Sequence, residues 1–541
     1  MPSLPFPRPP KAAMSLPADR SPSASDPDRA TRLALALLAA GLLARLGLAV
    51  LIDPGLDEAY AMAVTRVFQV SWFDHPPMAF WWVWGMRALA APLFGPDVPA
   101  AVLRLPFVLA FTATSWLLFD LTRRLWGARA GLWTLVALTL APFFLVSAGS
   151  WLVPDGPLVL FLALTARLLV EILWGEPDPR RERRLWIGVG LALGLAGLSK
   201  YHAGLFAIGA LVFFLATPHR RRLAGAGPWI AVALAVVVAS PAILWNAANG
   251  WVSFLFQSKR GAGRGPSLLG FGRAILGQAA YLGPWTLVGA ALATIRVHRI
   301  DRTLSGPAAF LTAIAAPSIL IFTLVPLIGG ESLPHWQMPG WLFLLPLLGR
   351  TIAETEAATA RLARGFAWTA IGLLALAAVL VGAIRVVPPS PETVARLKIG
   401  GFLEESLTWR GLSDELSARG LLAPAPDGTP AGVIGLRWIE AARLGEALGS
   451  RATVMVFDRD PRGFAFQSDP ASFVGRDLVL IGRPRTFEHG LDALRPLFER
   501  IEEIPPIPVR LGDGTLFAAH AAIGHRLLAP YPLPYPNRRR K

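Results

Sequence analysis

Apolar runs dominate the chain, and short polar stretches interrupt them. Residues 31–52, 101–122, 130–148, 156–174, 227–246, 272–296, 307–328 and 365–386 each approach the roughly 20 apolar residues that a membrane-spanning helix needs. A shorter pair, 186–199 and 203–217, flanks "SKYH" (199–202), and 337–351 is a further short run. The runs are continuous rather than alternating, which favours helices over an outer-membrane barrel. The pattern predicts a polytopic α-helical membrane protein with about 11–13 spans.

Charge orients these spans. Arginines cluster at 123–129, in "GEPDPRRERR" (175–184), at 219–222 and in "RVHRIDR" (296–302), and the positive-inside rule puts them on one side. The cations of the 247–271 loop are the exception. With the N-terminus inside, residues 53–100 form the first external loop. Its tryptophan-rich segment 78–95, "MAFWWVWGMRALAAPLFG", suits a helix lying at the membrane interface.

The two ends read differently. Residues 1–30 are rich in Pro, Ser and Ala and predict a disordered cytoplasmic tail. Residues 31–387 form the membrane domain, and after the linker-like "VVPPSPET" residues 388–541 predict a small external α/β domain. Within it, 452–458 and 477–482 read as buried strands and 490–504 as a helix. The closing "NRRRK" is a basic tip suited to anionic head groups.

Composition agrees: 54% of the 541 residues are hydrophobic and 16% charged, with mean hydropathy +0.49. A soluble domain of this length carries more charge. The net charge of +16 does not point to nucleic acid, because the arginines sit between spans and no nucleic-acid signature accompanies them. With no cysteine there is neither a disulfide framework nor a thiol nucleophile. Phosphate-cradling GxxxxGK[ST], GxSxG and HExxH are absent, which disfavours a nucleotide-driven pump and a serine hydrolase.

The remaining polar residues fall on one side of the predicted topology. Asp57, Glu58, Asp74, His75, Asp155, Lys200, His202, Asn246, Glu331 and His335 all lie in external loops or at external span ends. Ionisable groups near membrane depth are costly and mark sites. Asp57 and Glu58 open "DEAYAMAV", as a helix cap or as a general base or metal-binding pair. "DHPP" (74–77) is a turn that also delivers a carboxylate and an imidazole. Asp155 either begins a helix or belongs to a site. Lys200 either snorkels to water or meets a phosphate. His335 is a satisfied interfacial histidine or a ligand for metal or phosphate.

"LDEAYAMAVTRVFQVSWFDHPPMAFWW", "VPDGPL", "GLAGLSKYHAGL", "WNAANGWVSFLFQ" and "LPHWQMPGWL" together resemble, in this order, bacterial GT-C membrane glycosyltransferases of the protein mannosyltransferase and lipid A aminoarabinose transferase type. The resemblance covers roughly residues 31–350 in motif and the C-terminal region in layout. It implies sugar transfer from a polyprenyl-phosphate donor to an acceptor hydroxyl on a cell-envelope lipid, a saccharide or a protein. It places the protein in the bacterial inner membrane, with site and C-terminal domain facing the periplasm. Asp57 matches the family's acidic motif, Glu58 is its neighbour, and Asp155 matches a second acidic position. Lys200 falls where a cation meets the carrier phosphate. Tyr60, Asp74, His75, Tyr201, His202, Asn246, His335 and Trp336 are the accompanying substrate-binding candidates. A divalent ion held by Asp57, Glu58 and His335 is a further expectation. The rival classes are a protein O-mannosyltransferase-like enzyme and a lipid or glycan transporter or flippase. Neither broken midplane sites nor an inverted repeat is visible to favour transport.

Overall fold

The computed structural model describes residues 27–260, 265–355, 357–386, 390–398, 400, 403, 407–409, 411–511 and 514–535. Most of the expected N-terminal tail and the basic tip lie outside these residues. Among them, six helices are long and apolar enough to cross a membrane alone: Asp28–Leu51, Ala100–Trp126, Asp155–Trp174, Ala226–Ala248, Pro307–Ile328 and Arg361–Val379. Three bent helix pairs raise the number to as many as nine. Two further expected spans are helical but fall short of that test. Pro179–Ser199 opens on "PRRERR", and Met338–Glu354 has only 17 residues.

The bent pairs correct the expectation of straight spans over 130–148 and 272–296. Ala128–Leu140 meets Phe143–Ser150 at 85°, Ala203–Ala216 meets Pro218–Ala224 at 108°, and Leu268–Leu282 meets Pro284–Asp301 at 101°. Pro142, Pro218 and Pro284 stand at these breaks, and a proline has no N–H to continue a helix. Gly283, at φ +87°, supplies the left-handed backbone that the sharp turn before Pro284 requires.

Burial orders the bundle. The most apolar window of Asp155–Trp174 is 72% buried, whereas that of Arg361–Val379 is 6% buried. The first is the central helix, and the second stands at the rim with Phe366 and Trp368 exposed. Asp155 marks one end of the central helix. At the other end Glu171 joins an ion-pair network with Asp120 and the arginines 124, 167 and 181. Twenty residues at 1.5 Å each separate the two ends by about 30 Å, one hydrocarbon thickness.

Helix α1 (Pro27–Leu51) leads into the first loop, which contains α2 (Leu56–Val64) and α3 (Met78–Phe94). Beyond the bundle, β1 (Ala431–Gly435), β2 (Ala452–Val456), β3 (Leu478–Gly482), β4 (Phe498–Leu511) and β5 (Gly514–Leu527) form one sheet in the order β2-β1-β3-β5-β4. The first three strands are parallel, and β5 and β4 are antiparallel additions. The helix expected over 490–504 ends at Leu494, and Phe498 onward is strand. Apolar residues three or four apart (Leu491, Leu494, Leu497, Ile501, Ile504) imitate a helix, but pairing with β5 decides the outcome. A register shift between Ile504 and Ile507, at Pro505 and Pro506, turns Ile507 and Val509 inward.

The sheet domain shares a core with the first loop. Tyr60, Trp72 and Phe80 from the loop pack in one cluster with Ala441, Ala442, Val456 and Phe464. Helix Trp438–Leu448 lies so close to α2 that a Cβ on Gly445 would sit 2.5 Å from the Ala63 Cβ.

Candidate active site

Eight of the residues singled out in the sequence line one cavity of about 120 Å³: Asp57, Tyr60, Asp74, His75, Asp155, Lys200, His335 and Trp336. They arrive from α2, the loop after it, the start of the central helix, the break between Ser199 and Ala203, and the 329–337 turn. Helix starts and chain breaks present polar groups there without interrupting a spanning helix.

The adjacent carboxylates of α2 divide their roles. Glu58 is wholly buried. It accepts from Arg104 Nε at 2.8 Å and Nη2 at 2.6 Å, from the Gly55 N–H at 3.0 Å and from the Leu152 N–H at 3.1 Å. Glu58 is therefore the cap and the clamp, and does not share Asp57's cavity. Asp57 is exposed toward the cavity. The surrounding protein raises its pKa by desolvation, against the nearby Arg462 cation.

Asp155 and Lys200 form a buried pair, with Lys200 Nζ 2.9 and 3.1 Å from the two carboxylate oxygens. Lys200 does not snorkel to water: it is buried, and Asp155 supplies its counter-charge. Tyr60 donates to Asp74 Oδ1 at 2.6 Å and accepts from the Gly463 N–H at 2.9 Å. Burial pushes Asp74 up to about 6, opposed by Arg462 and by the Tyr60 hydrogen bond. Burial, with Lys200 adding to it, pushes His75 and His335 down to about 3. Both imidazoles are thus held toward the neutral form.

Two arginines complete the cavity that sequence alone did not single out. Arg260 pairs with Glu331 at 2.9 Å and lies 4.8 Å from the centroid of the Trp336 ring. Its signal in the sequence was the cation-bearing loop that broke the charge asymmetry. Arg462 comes from the C-terminal domain. It holds φ +47°, lies 3.6 Å over the Trp438 ring and reaches to 3.9 Å from Asp74. No sequence signal pointed to it.

The other candidates sit apart. Tyr201 and His202 line an adjoining cavity of about 320 Å³ that shares His75, Lys200, Arg260 and Trp336 with the first. Its remaining wall includes Leu205, Ile321, Phe322 and Val325, which makes it suited to an apolar chain. Asn246 is buried and structural: Oδ1 accepts from the Ser253 N–H at 3.1 Å and Nδ2 donates to Ala242 O at 3.0 Å. The metal set Asp57, Glu58 and His335 does not fit, because Glu58 is already bound to Arg104. Among the described residues no group of three or more His, Asp or Glu is arranged to hold a metal ion.

Residues 74–245 match the model of the dolichyl-phosphate-mannose-protein mannosyltransferase family. No curated protein matches the chain by sequence. Among solved structures, ArnT from Cupriavidus metallidurans in the apo state superposes with a TM-score of 0.61 at 16% identity, over 93% of this chain and 100% of that one. The same protein bound to undecaprenyl phosphate gives 0.59 at 16% identity, over 93% and 99%. At that identity the superposition speaks for the fold, and the family match adds the segment that carries Asp74, Asp155 and Lys200. The chain thus has the fold of ArnT, and across residues 74–245 it is similar to the dolichyl-phosphate-mannose-protein mannosyltransferases.

Proposed function

We propose that the protein transfers a sugar from a polyprenyl-phosphate donor to an acceptor hydroxyl on an envelope lipid, saccharide or protein, with Asp57 as general base. One observation carries this reading: the polar cavity holding Asp57 and the apolar-walled cavity share the wall of Lys200, His75, Arg260 and Trp336. A lipid-linked phosphate needs such a junction, with tail on one side and sugar on the other. The undecaprenyl phosphate bound to the Cupriavidus relative supports the same donor class.

Asp57 takes the acceptor's hydroxyl proton as that oxygen bonds to the sugar's anomeric carbon. The bond from that carbon to the phosphate oxygen breaks, and the electron pair leaves with the polyprenyl phosphate. Arg260 lines both cavities, and its ion pair among the described residues is with the partly exposed Glu331, so it is the cation placed to follow the developing phosphate charge. Lys200, fixed by Asp155, borders the same point. The test is release of polyprenyl phosphate by purified protein supplied with a lipid-phosphate sugar and each acceptor class in turn. No release with any of them would overturn the reading.

Arg260→Gln is expected to weaken donor binding about tenfold to a hundredfold, the value of a charge-assisted hydrogen bond. An unchanged dissociation constant for polyprenyl phosphate would move the phosphate to Lys200.

The cavity side faces the periplasm in this proposal. A single cysteine at the exposed Glu499 should react with an impermeant reagent in intact cells, and one at Arg181 should not. Asp74 and Lys200 are buried and unsuited to such labelling. Labelling at 181 from outside would reverse the orientation.

A further inference from the structure

A second cavity, of about 410 Å³, lies between α3 and the C-terminal sheet domain. It is separated from the active cavity by α2: Ala63 lines the one and Ala61 the other. Neither family motif nor mechanism uses it. Its polar lining is one-sided.

Arg87 is 9% exposed. It donates through Nη1 to Thr65 Oγ1 at 3.1 Å and through Nη2 to Met62 O at 2.9 Å, so it meets only neutral acceptors. Its Nε is buried with no hydrogen-bond partner among the described residues. Arg66 pairs with Asp97 at 2.9 Å, but its Nε is likewise buried and unpartnered. Asp97 is also shared with Ser450, accepting from its N–H and its hydroxyl at 2.9 Å each. From the sheet domain, Gln467 Nε2 and Ser468 Oγ are two more buried groups without a partner. All four groups can donate a hydrogen bond, and an unsatisfied buried donor is costly. Burial and, second, the neighbouring Arg66 push Arg87 down to about 10, with Asp97 opposing them.

The rim is apolar and open. Val67 and Trp84 line the cavity and are 51% and 36% exposed, and Leu89 and Leu93 continue along α3 at 73% and 84%. A free anion would have no use for that surface, whereas a lipid would lay its chains on it.

We propose that this cavity binds the phosphate headgroup of an anionic membrane phospholipid, held by Arg66, Arg87, Gln467 and Ser468, with its acyl chains along α3. The bound lipid fastens the sheet domain to the first loop, because each side contributes half of the donors. The site is independent of the transfer reaction, and its test needs no substrate.

The full-length protein is reconstituted in nanodiscs of phosphatidylcholine containing a minor share of phosphatidylglycerol. It is then extracted in mild detergent, and the retained lipid is counted by mass spectrometry. Phosphatidylglycerol should be enriched about tenfold over its bulk share, as one charge-assisted hydrogen bond or more would give. In R66Q/R87Q the enrichment should vanish. Should that variant not fold, wild-type protein is photolabelled with phosphatidylglycerol carrying a headgroup diazirine. Labelled peptides containing Arg66, Arg87 or Gln467 support the site. No enrichment in the wild type, enrichment undiminished in the variant, or labelling confined to the spanning helices would overturn it. So would displacement of the lipid by millimolar inorganic phosphate, which would make this a site for the free ion.

Discussion

Asp57→Asn should abolish transfer, lowering kcat by about 10²–10⁴-fold or more, the contribution of a general base. The change keeps the side chain's shape and removes its basicity. Asp57 is exposed within the cavity rather than tied into the core, so the variant should unfold at the wild-type temperature. The pH profile follows from its surroundings. A base must be ionised to act, and desolvation by the surrounding protein raises the Asp57 pKa. Activity should therefore fall on the acid side through a pH above the ordinary carboxylate value of about 4. Turnover by Asp57→Asn within a few fold of wild type would remove the residue from the role.

Glu58→Ala, one position on, should fail in the opposite way: through stability. The change strands the Arg104 guanidinium, itself 1% exposed. It also strands the Gly55 and Leu152 N–H groups, all of which now point at one carboxylate. Breaking a buried pair by removing one partner costs about 3–5 kcal/mol, and the orphaned N–H groups add to it. Arg104 Nη1 also donates to Ala49 O and Ile52 O, so the loss should loosen the end of α1 against the first loop. Thermal unfolding in detergent would show a large drop in midpoint. A midpoint equal to wild type would mean that the pair holds nothing together.

These two residues also mark the limit of what one dimension reveals. "DE" advertises a pair, but adjacent helix positions are turned about 100° from each other. One therefore enters the cavity while the other meets Arg104, and only the fold says which. The buried candidates were legible where a charge stood in an apolar context, as in "DHPP", "SKYH" and "LPHW". Arg462 was not, because an arginine in a polar loop looks like any surface arginine until tertiary packing brings it inward, and Arg260 showed only as one cation of the loop that broke the charge asymmetry. The spans were legible from hydropathy, but the bends at Pro142 and Pro284 were hidden inside runs whose average apolarity is unbroken. The strand at 498–511 was masked by apolar residues at helical spacing, and its pairing partner lies beyond it in the chain.

The size of the active cavity has a kinetic consequence. Its roughly 120 Å³ borders the adjoining cavity of about 320 Å³ along His75, Lys200, Arg260 and Trp336. The roof of the active cavity is made by Arg462 and the Tyr60–Gly463 hydrogen bond, where the sheet domain meets the first loop. A substrate that needs more room than the cavity offers would have to part that seam. The observed rate would follow the slower of roof motion and bond exchange.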